Sequence, residues 1–474
     1  MNHETLFNKL LTDDETFINK SIKTKNLNLN LSKARIPTQT YIMFNSLTKE
    51  INLIKKFKSF FSKNTHNISE KISVNHHQLR SNKSNFYTKE KNRLIKFINT
   101  IHKKNIITDI VQIGIGGSYI GPKSIHEALT FQTIKTTNKT KLNGHFITSL
   151  DPLEFKTYVQ PLNPKTTLFI LASKSGHTQE IIANLNLLKE WWKTHQLPLK
   201  TLPKHCISLT TKGSPIDKPE ISENRFYIDK TIGGRFSTTS VIGLCIIGLC
   251  FGVKTIEEFL SGAANMDKNA TNPTCDTNLS LAAAWEHIWQ HTIKKSSSRA
   301  IIPYSFALQT FPLFIQQLIC ESNGKSVNHH ANTISYKTAP IIVTGTGTNA
   351  QHSFFQLLHQ GTDIIPVEFI GIKDNNNYNN QSENQAQKLL NANMYAQIEA
   401  LQLGQSAKNK HYILKGKKPS SLLLLNDISP YTMGQLIAYY ENKTIFEGLI
   451  WNINSFDQLG VELGKKLIPK FISQ

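Results

Sequence analysis

Three times along this chain a short apolar run ends in a small polar turn and gives way to helix-like periodicity. Ile106 to Ile115 (IITDIVQIGI) precedes Gly116-Gly117-Ser118. Thr166 to Ala172 (TTLFILA) precedes Ser173-Lys174-Ser175-Gly176, with a helical stretch running on through Trp192. Pro340 to Thr344 (PIIVT) precedes Gly345-Thr346-Gly347-Thr348-Asn349 and the helical QHSFFQLLHQ. Strand, tight turn and helix in repetition specify an α/β fold built on a doubly wound parallel sheet. The pattern occurs before residue 250 and again after residue 300, which predicts two such α-β-α sandwiches with a cleft between them. In sheets of this type ligands bind beyond the carboxyl ends of the strands, where these turns lie. Residues 1–95 are polar and read as a helical N-terminal segment with breaks near Pro37 and Asn64, packing on the larger domain. The expected units are therefore 1–95, a small domain at 96–250 and a large domain at 251–474.

Bulk properties narrow the functional classes. With 474 residues and 39% hydrophobic content the chain can bury substantial cores, unlike a disordered sequence. Cys206, Cys245, Cys250, Cys275 and Cys320 form an odd set without a CxxC pair. That argues against a disulfide framework or a thiolate zinc site and fits a reducing compartment. The first residues, MNHETLFNKLLTDDETF, carry early acids and no apolar core of signal-peptide type. The longest apolar run, Val241 to Val253, is too short to cross a bilayer and reads as a buried helix. A soluble, cytoplasmic protein without a membrane partner is expected. The formal charge of +21 raises the question of polyanions. Lysines are spread along the chain, however, with no long basic block and no interleaved aromatics, so no specific nucleic-acid partner is expected. The asparagine-rich stretch from Asp374 to Asn384 reads as a loop to which no chemistry is assigned.

Ser173, Lys174, Ser175 and Thr178 are the most suggestive cluster. Small hydroxyl residues between a strand end and a helix start can offer side-chain hydroxyls and backbone N–H groups to an anion, at the positive end of the helix dipole. The alternative is a helix cap with spare hydroxyls. A dinucleotide site fails, because Gly114-Ile115-Gly116-Gly117-Ser118-Tyr119 places tyrosine where the fingerprint needs its third glycine. No GxxxxGK[ST] is present either. A monophosphate suits the cluster better than a nucleotide.

From about residue 110 onward the chain resembles the glucose-6-phosphate isomerase family, segment after segment in family order. The segments are IGIGGSYIGP (113–122), ASKSGHTQE (172–180), GGRFS (233–237), ESNGK (321–325), GTNAQHSFFQLLHQGT (347–362) and FDQLGVELGKKL (456–467). The resemblance implies two unequal sugar-isomerase-type domains and an aldose–ketose isomerase that uses neither cofactor nor metal. It implies that Glu321 is the base that moves the proton between C2 and C1, and that Arg235 faces the enediolate. It gives His352 and Lys465 the opening of the sugar ring. Gly117, Ser118, Ser173, Lys174, Ser175 and Thr178 would bind the substrate, chiefly its phosphate, and Gln317 and Gln458 would contact its oxygens. It further implies a homodimer in which His352 enters the neighbouring subunit's site. Two departures stand out: Gly176-His177 interrupts a stretch that is commonly threonine-rich, and NHHQLR (75–80) has Gln78 in an alanine position.

These residue types suit that chemistry. The C2 hydrogen of an aldose is too weak an acid for an unaided carboxylate, so the enediolate charge must be stabilised, and a permanently charged guanidinium in a dry cleft does this. A glutamate can then carry the proton on one face of the intermediate. Binding the remote phosphate orients the reacting carbons. His352 and His359 are seven residues apart without an acid or cysteine partner, which is a poor metal pair, so His359 is expected to be structural. A non-catalytic phosphosugar-binding regulator of the same fold is the alternative; it explains the cradle but gives no reason for Glu321, Arg235, His352 and Lys465 to occur together.

Overall fold

All six positions of Thr167–Ala172 are buried, and a strand covered on both faces is what a continuous apolar run encodes. In the computed structural model, which describes residues 3–11, 14–61, 66–81, 84–135, 140–373, 378 and 380–472, this strand lies at the centre of a five-stranded, all-parallel sheet. The spatial order is Asn143–Ile147, Asp109–Ile113, Thr167–Ala172, Cys206–Thr210, Asn224–Tyr227. Numbered along the chain this is 2-1-3-4-5, a doubly wound order whose direction reverses at Asp109–Ile113. The turns that leave Asp109–Ile113 and Thr167–Ala172 therefore open side by side at the reversal point.

The second sheet repeats the winding. Its parallel strands, Ile341–Thr344, Ser298–Pro303, Val367–Ile372 and Ser420–Leu425, lie in the order 2-1-3-4. Helices bury both sheets between them. Val241–Phe251 is buried at ten consecutive positions and packs on the helices Asn85–Lys104, Ile120–Lys135 and Val253–Asn269, as its uninterrupted apolar composition predicts. The helix Pro430–Trp451 is buried over almost its whole length and crosses Val253–Asn269. Among the described residues no helix is long and apolar enough to cross a membrane.

The helical expectation for the N-terminal segment needs correction. Helices Thr38–Glu50, Leu53–Ser59 and Asn85–Lys104 are present, the last running through the expected boundary at residue 95. Ser21–Lys23 and Leu27–Asn30, however, form an antiparallel hairpin whose second strand pairs antiparallel with Ser420–Leu425 and extends the large sheet. The cause is a period-2 pattern, Asn26-Leu27-Asn28-Leu29-Asn30-Leu31. Leu27, Leu29 and Leu31 are buried while the Asn28 side-chain oxygen accepts from Ser21 Oγ at 2.5 Å. Alternation of this kind sends every second side chain to the core, which a helix cannot do. The break at Pro37 is the start of a helix. Asn64 lies outside the described residues, as do positions 374–377 and 379 of the asparagine-rich stretch, and a helix begins at Gln381.

Candidate active site

Arg235 sits in a 3₁₀ turn, Gly234–Phe236, and is almost fully buried. Its guanidinium meets the last turn of the helix Phe311–Asn323, which carries Gln317 and Glu321 one turn apart and thus on one face. Arg235 Nη1 donates to Glu321 Oε2 at 3.3 Å and to Gln458 Oε1 at 2.8 Å. Gln317 Nε2 donates to Glu321 Oε1 at 3.0 Å. Four residues expected to act together, from three separate segments, are thus joined directly. Glu321 keeps a third of its side chain exposed whereas that of Arg235 is sealed at 1%, so the pair presents its carboxylate outward.

The hydroxyl-rich turn after Thr167–Ala172 forms one wall. Ser173 Oγ and Thr178 Oγ1 are 2.7 Å apart, and Ser173 Oγ accepts from the Gly176 N–H at 3.0 Å. The His177 N–H donates to Ser175 Oγ at 3.2 Å. No side chain caps the helix Gln179–Thr194 that follows, so these hydroxyls serve the loop and not a helix cap. Lys174 Nζ donates to the carbonyls of Lys230 and Ile232, each at 3.0 Å, tying this loop to the segment that leads into Arg235. Burial lowers the Lys174 pKa, against the opposing pull of Glu70 and Asp229. The neighbouring turn, Gly116–Ser118, backs onto the Arg235 turn. A Cβ on Gly117 would fall well inside contact distance of the Gly234 carbonyl, so only glycine permits this approach. Ser118, half-buried at the end of this turn, accepts through its carbonyl from Gln112 Nε2 at 2.8 Å. Lys174, Thr231, Gly233, Asn67, Glu70 and Gln458 line one small cleft.

Two expected members stand apart. His352 ends the short helix Gly347–Gln351 and is exposed. Lys465 lies in the exposed helix Glu462–Leu467, its side chain 62% accessible and paired with Glu462 at 2.8 Å. Among the described residues, neither shares a hydrogen bond or ion pair with Glu321, Arg235 or Gln458. His359 bonds Gln397 Oε1 at 3.0 Å, in keeping with a structural role. No group of three His, Cys, Asp or Glu side chains able to hold a metal ion occurs among the described residues.

Sequence reasoning missed several residues around the base. Lys325 Nζ donates to the carbonyls of Glu321 (3.1 Å) and Asp457 (2.7 Å) and to Asp457 Oδ1 (2.7 Å), locking the helix end to the segment that bears Gln458. Burial opposes ionisation of Asp457, yet the bonds from Lys325 and Ser69 outweigh it and hold this carboxyl below its usual range. Ser322 and Ser455 accept hydrogen bonds from Arg235, and the buried Asn323 accepts from Ser455. The signal was available for Ser322, Asn323 and Lys325, which all lie within ESNGK, the segment already singled out for Glu321.

Comparison with known proteins identifies relatives of the whole chain. A family model described as phosphoglucose isomerase matches residues 30–474. Glucose-6-phosphate isomerase from Treponema denticola is 39% identical over 469 residues, covering 94% of this chain and 88% of the relative. The enzyme of the same name from Chlamydia caviae is 40% identical over 381 residues, covering 80% and 70%. Among solved structures, a glucose-6-phosphate isomerase from Chlamydia trachomatis superposes with a TM-score of 0.89 at 33% identity, covering 100% of this chain and 95% of that one.

Proposed function

The chain belongs to the phosphoglucose isomerase family, and from that premise we propose that it interconverts glucose 6-phosphate and fructose 6-phosphate with Glu321 as the proton-carrying base and Arg235 as the countercharge. The substrate's phosphate binds Ser118, Ser173, Lys174, Ser175 and Thr178, where backbone and hydroxyl donors already converge. Glu321 removes the C2 proton of the open-chain aldose and returns it to C1. In the intermediate, negative charge spreads over O1 and O2. Arg235 Nη1, now bonded to Glu321 and Gln458, is the group that meets it. Gln317 steadies the second carboxylate oxygen. The observation that carries this reading is the buried guanidinium in direct contact with a part-exposed carboxylate beside the phosphate-type loop. A phosphosugar-binding regulator has no use for that pairing and is not favoured.

Ring opening belongs to His352 and Lys465 in this proposal. That His352 is exposed and, among the described residues, bonds none of Glu321, Arg235 and Gln458 supports a homodimer in which His352 completes the partner's site. The division into a small domain at 96–250 and a large one at 251–474 is supported by one set of parallel strands on each side of residue 250, with the N-terminal hairpin joining the second sheet. A cytoplasmic location accords with a glycolytic reaction. The test is conversion of fructose 6-phosphate to glucose 6-phosphate, read by a coupled dehydrogenase, in the wild type and in Glu321→Gln. The variant should lose roughly 10³-fold or more of kcat while keeping its circular dichroism spectrum. Turnover that survives the substitution would remove Glu321 from the mechanism, and a folded wild type without turnover would refute the activity.

A further inference from the structure

We infer that Ser322 and Asn323, the two residues after the base, are positioning residues that aim Arg235, Ser322 directly and Asn323 through Ser455. The inference rests on the isomerase reading above and extends it from the groups that touch substrate to those that hold them.

A guanidinium has five N–H donors in a fixed plane. Arg235 has five acceptors. Nε donates to Ser322 Oγ at 2.7 Å. Nη2 donates to the Ser455 carbonyl at 2.6 Å and the Asp457 carbonyl at 3.1 Å. Nη1 takes the remaining two, Glu321 and Gln458. The first three acceptors are buried, and only Nη1 bonds groups at the part-exposed edge, Glu321 and Gln458. Rotation of the planar group by a few degrees would carry Nη1 away from the intermediate, so the acceptors on Nε and Nη2 set its aim.

Those acceptors are themselves braced. Asn323 is fully buried. Its amide nitrogen donates to Glu447 Oε2 at 3.0 Å and to the Thr444 carbonyl at 3.1 Å. Its amide oxygen accepts from Ser455 Oγ at 2.7 Å. The helix that supplies Glu447 has glycine at position 448, where a Cβ would collide with Ser455 Oγ. The chain thus leaves room for Ser455 to reach Asn323, and in doing so fixes the carbonyl that receives Nη2. One helix end thereby delivers the base, the Nε acceptor and the brace for the Nη2 acceptor in three consecutive residues.

A positioning role makes a specific kinetic claim. The charge that Arg235 meets develops only in the intermediate, so misaiming it should weaken transition-state binding and spare ground-state binding. In Ser322→Ala, kcat should fall by about 10- to 100-fold with KM within about threefold of wild type. Affinity for an aldonate phosphate, whose carboxylate carries charge where the intermediate does, should fall by the same factor as kcat/KM. Inhibition by inorganic phosphate, which reads the Lys174 loop alone, should not change, and Ser322→Thr should recover most of kcat. Ser455→Ala, which keeps the carbonyl but releases it from Asn323, should show the same pattern in milder form and serves if Ser322→Ala does not fold. Unchanged kcat and unchanged aldonate affinity in the folded variants would overturn the inference. So would equal losses of phosphate and aldonate affinity, which a merely structural role would give. A wild type without turnover would overturn the isomerase reading first and this inference with it.

Discussion

At Arg235 every donor is engaged within the protein, so substrate oxygens must take over acceptor positions filled by Glu321 and Gln458. Arg235→Lys retains a positive charge but offers at most three donors from a single nitrogen. It is expected to lose roughly 10²–10³-fold in kcat, with Tm lowered as well, because buried carbonyls of Ser455 and Asp457 lose their partners. Steady-state kinetics alongside thermal unfolding would separate the two effects. Lys174 titrates lower than an ordinary lysine because burial penalises its charge. Loss of that charge on the alkaline side weakens phosphate binding, so KM should rise with pH before the usual lysine range is reached. In Lys174→Met, KM should be high throughout and this alkaline limb absent; a limb that persists would exclude Lys174 as its source. Glu321, Arg235 and Gln458 were legible because each stands in a segment that carries the family resemblance, and Gln317 because it lies one helical turn before Glu321. The Ser455 and Asp457 carbonyls were not, since a backbone acceptor can belong to any residue type. Ser322 and Asn323 were overlooked beside Glu321 because their work is directed into the protein, where only packing reveals it.

At the scale of elements, the strand–turn–helix units were readable because buried parallel strands are apolar on both faces and their turns must be small. The hairpin at 21–30 escaped for the opposite reason. Its strands are three and four residues long, seven of its ten residues are polar, and its partner strand is at the far end of the sequence. The alternating leucines were its one local sign. Leu29 is 1% exposed, and Leu29→Ala should cost about 2–4 kcal/mol of stability, measured as a lower urea midpoint, while the folded fraction keeps its kcat. The loop at Gly117 invites the opposite profile. Gly117→Ala must push the loop away from the Gly234 carbonyl, displacing Arg235 and Ser118 together, and should damage turnover more than global stability. A urea midpoint that drops as far as that of Leu29→Ala, with kcat intact, would contradict this.

For the whole molecule, burial of neutral histidines sets the response to acid. Burial holds His126 and His291 down to about 4, and pushes His76, His77 and His287 down as well. The unfolded chain takes up these protons near the ordinary 6.5, before the folded one does. The stability they protect is therefore complete above that pH and drains away as the pH falls toward 4, by on the order of 3 kcal/mol for His126 alone. Urea midpoints should decline steadily over this interval, and a flat profile would mean that these rings are hydrated in solution. Assembly admits an equally direct test. If His352 acts in the partner's site, mixing inactive His352→Ala and Glu321→Gln subunits after dissociation should restore about a quarter of wild-type activity, because half the dimers are mixed and each holds one intact site. Failure to complement would place His352 in its own subunit's site. The hairpin also imposes an order of events on biosynthesis. Leu27 leaves the ribosome early, but Leu425, with which it is in register, follows only after roughly 400 further residues, some 20–80 s later at ordinary elongation rates of about 5–20 residues per second. For that interval Leu27 and Leu29 are without the strand against which they pair in the folded chain, so the apolar face of the nascent hairpin stays uncovered until the last fifth of the sequence is made.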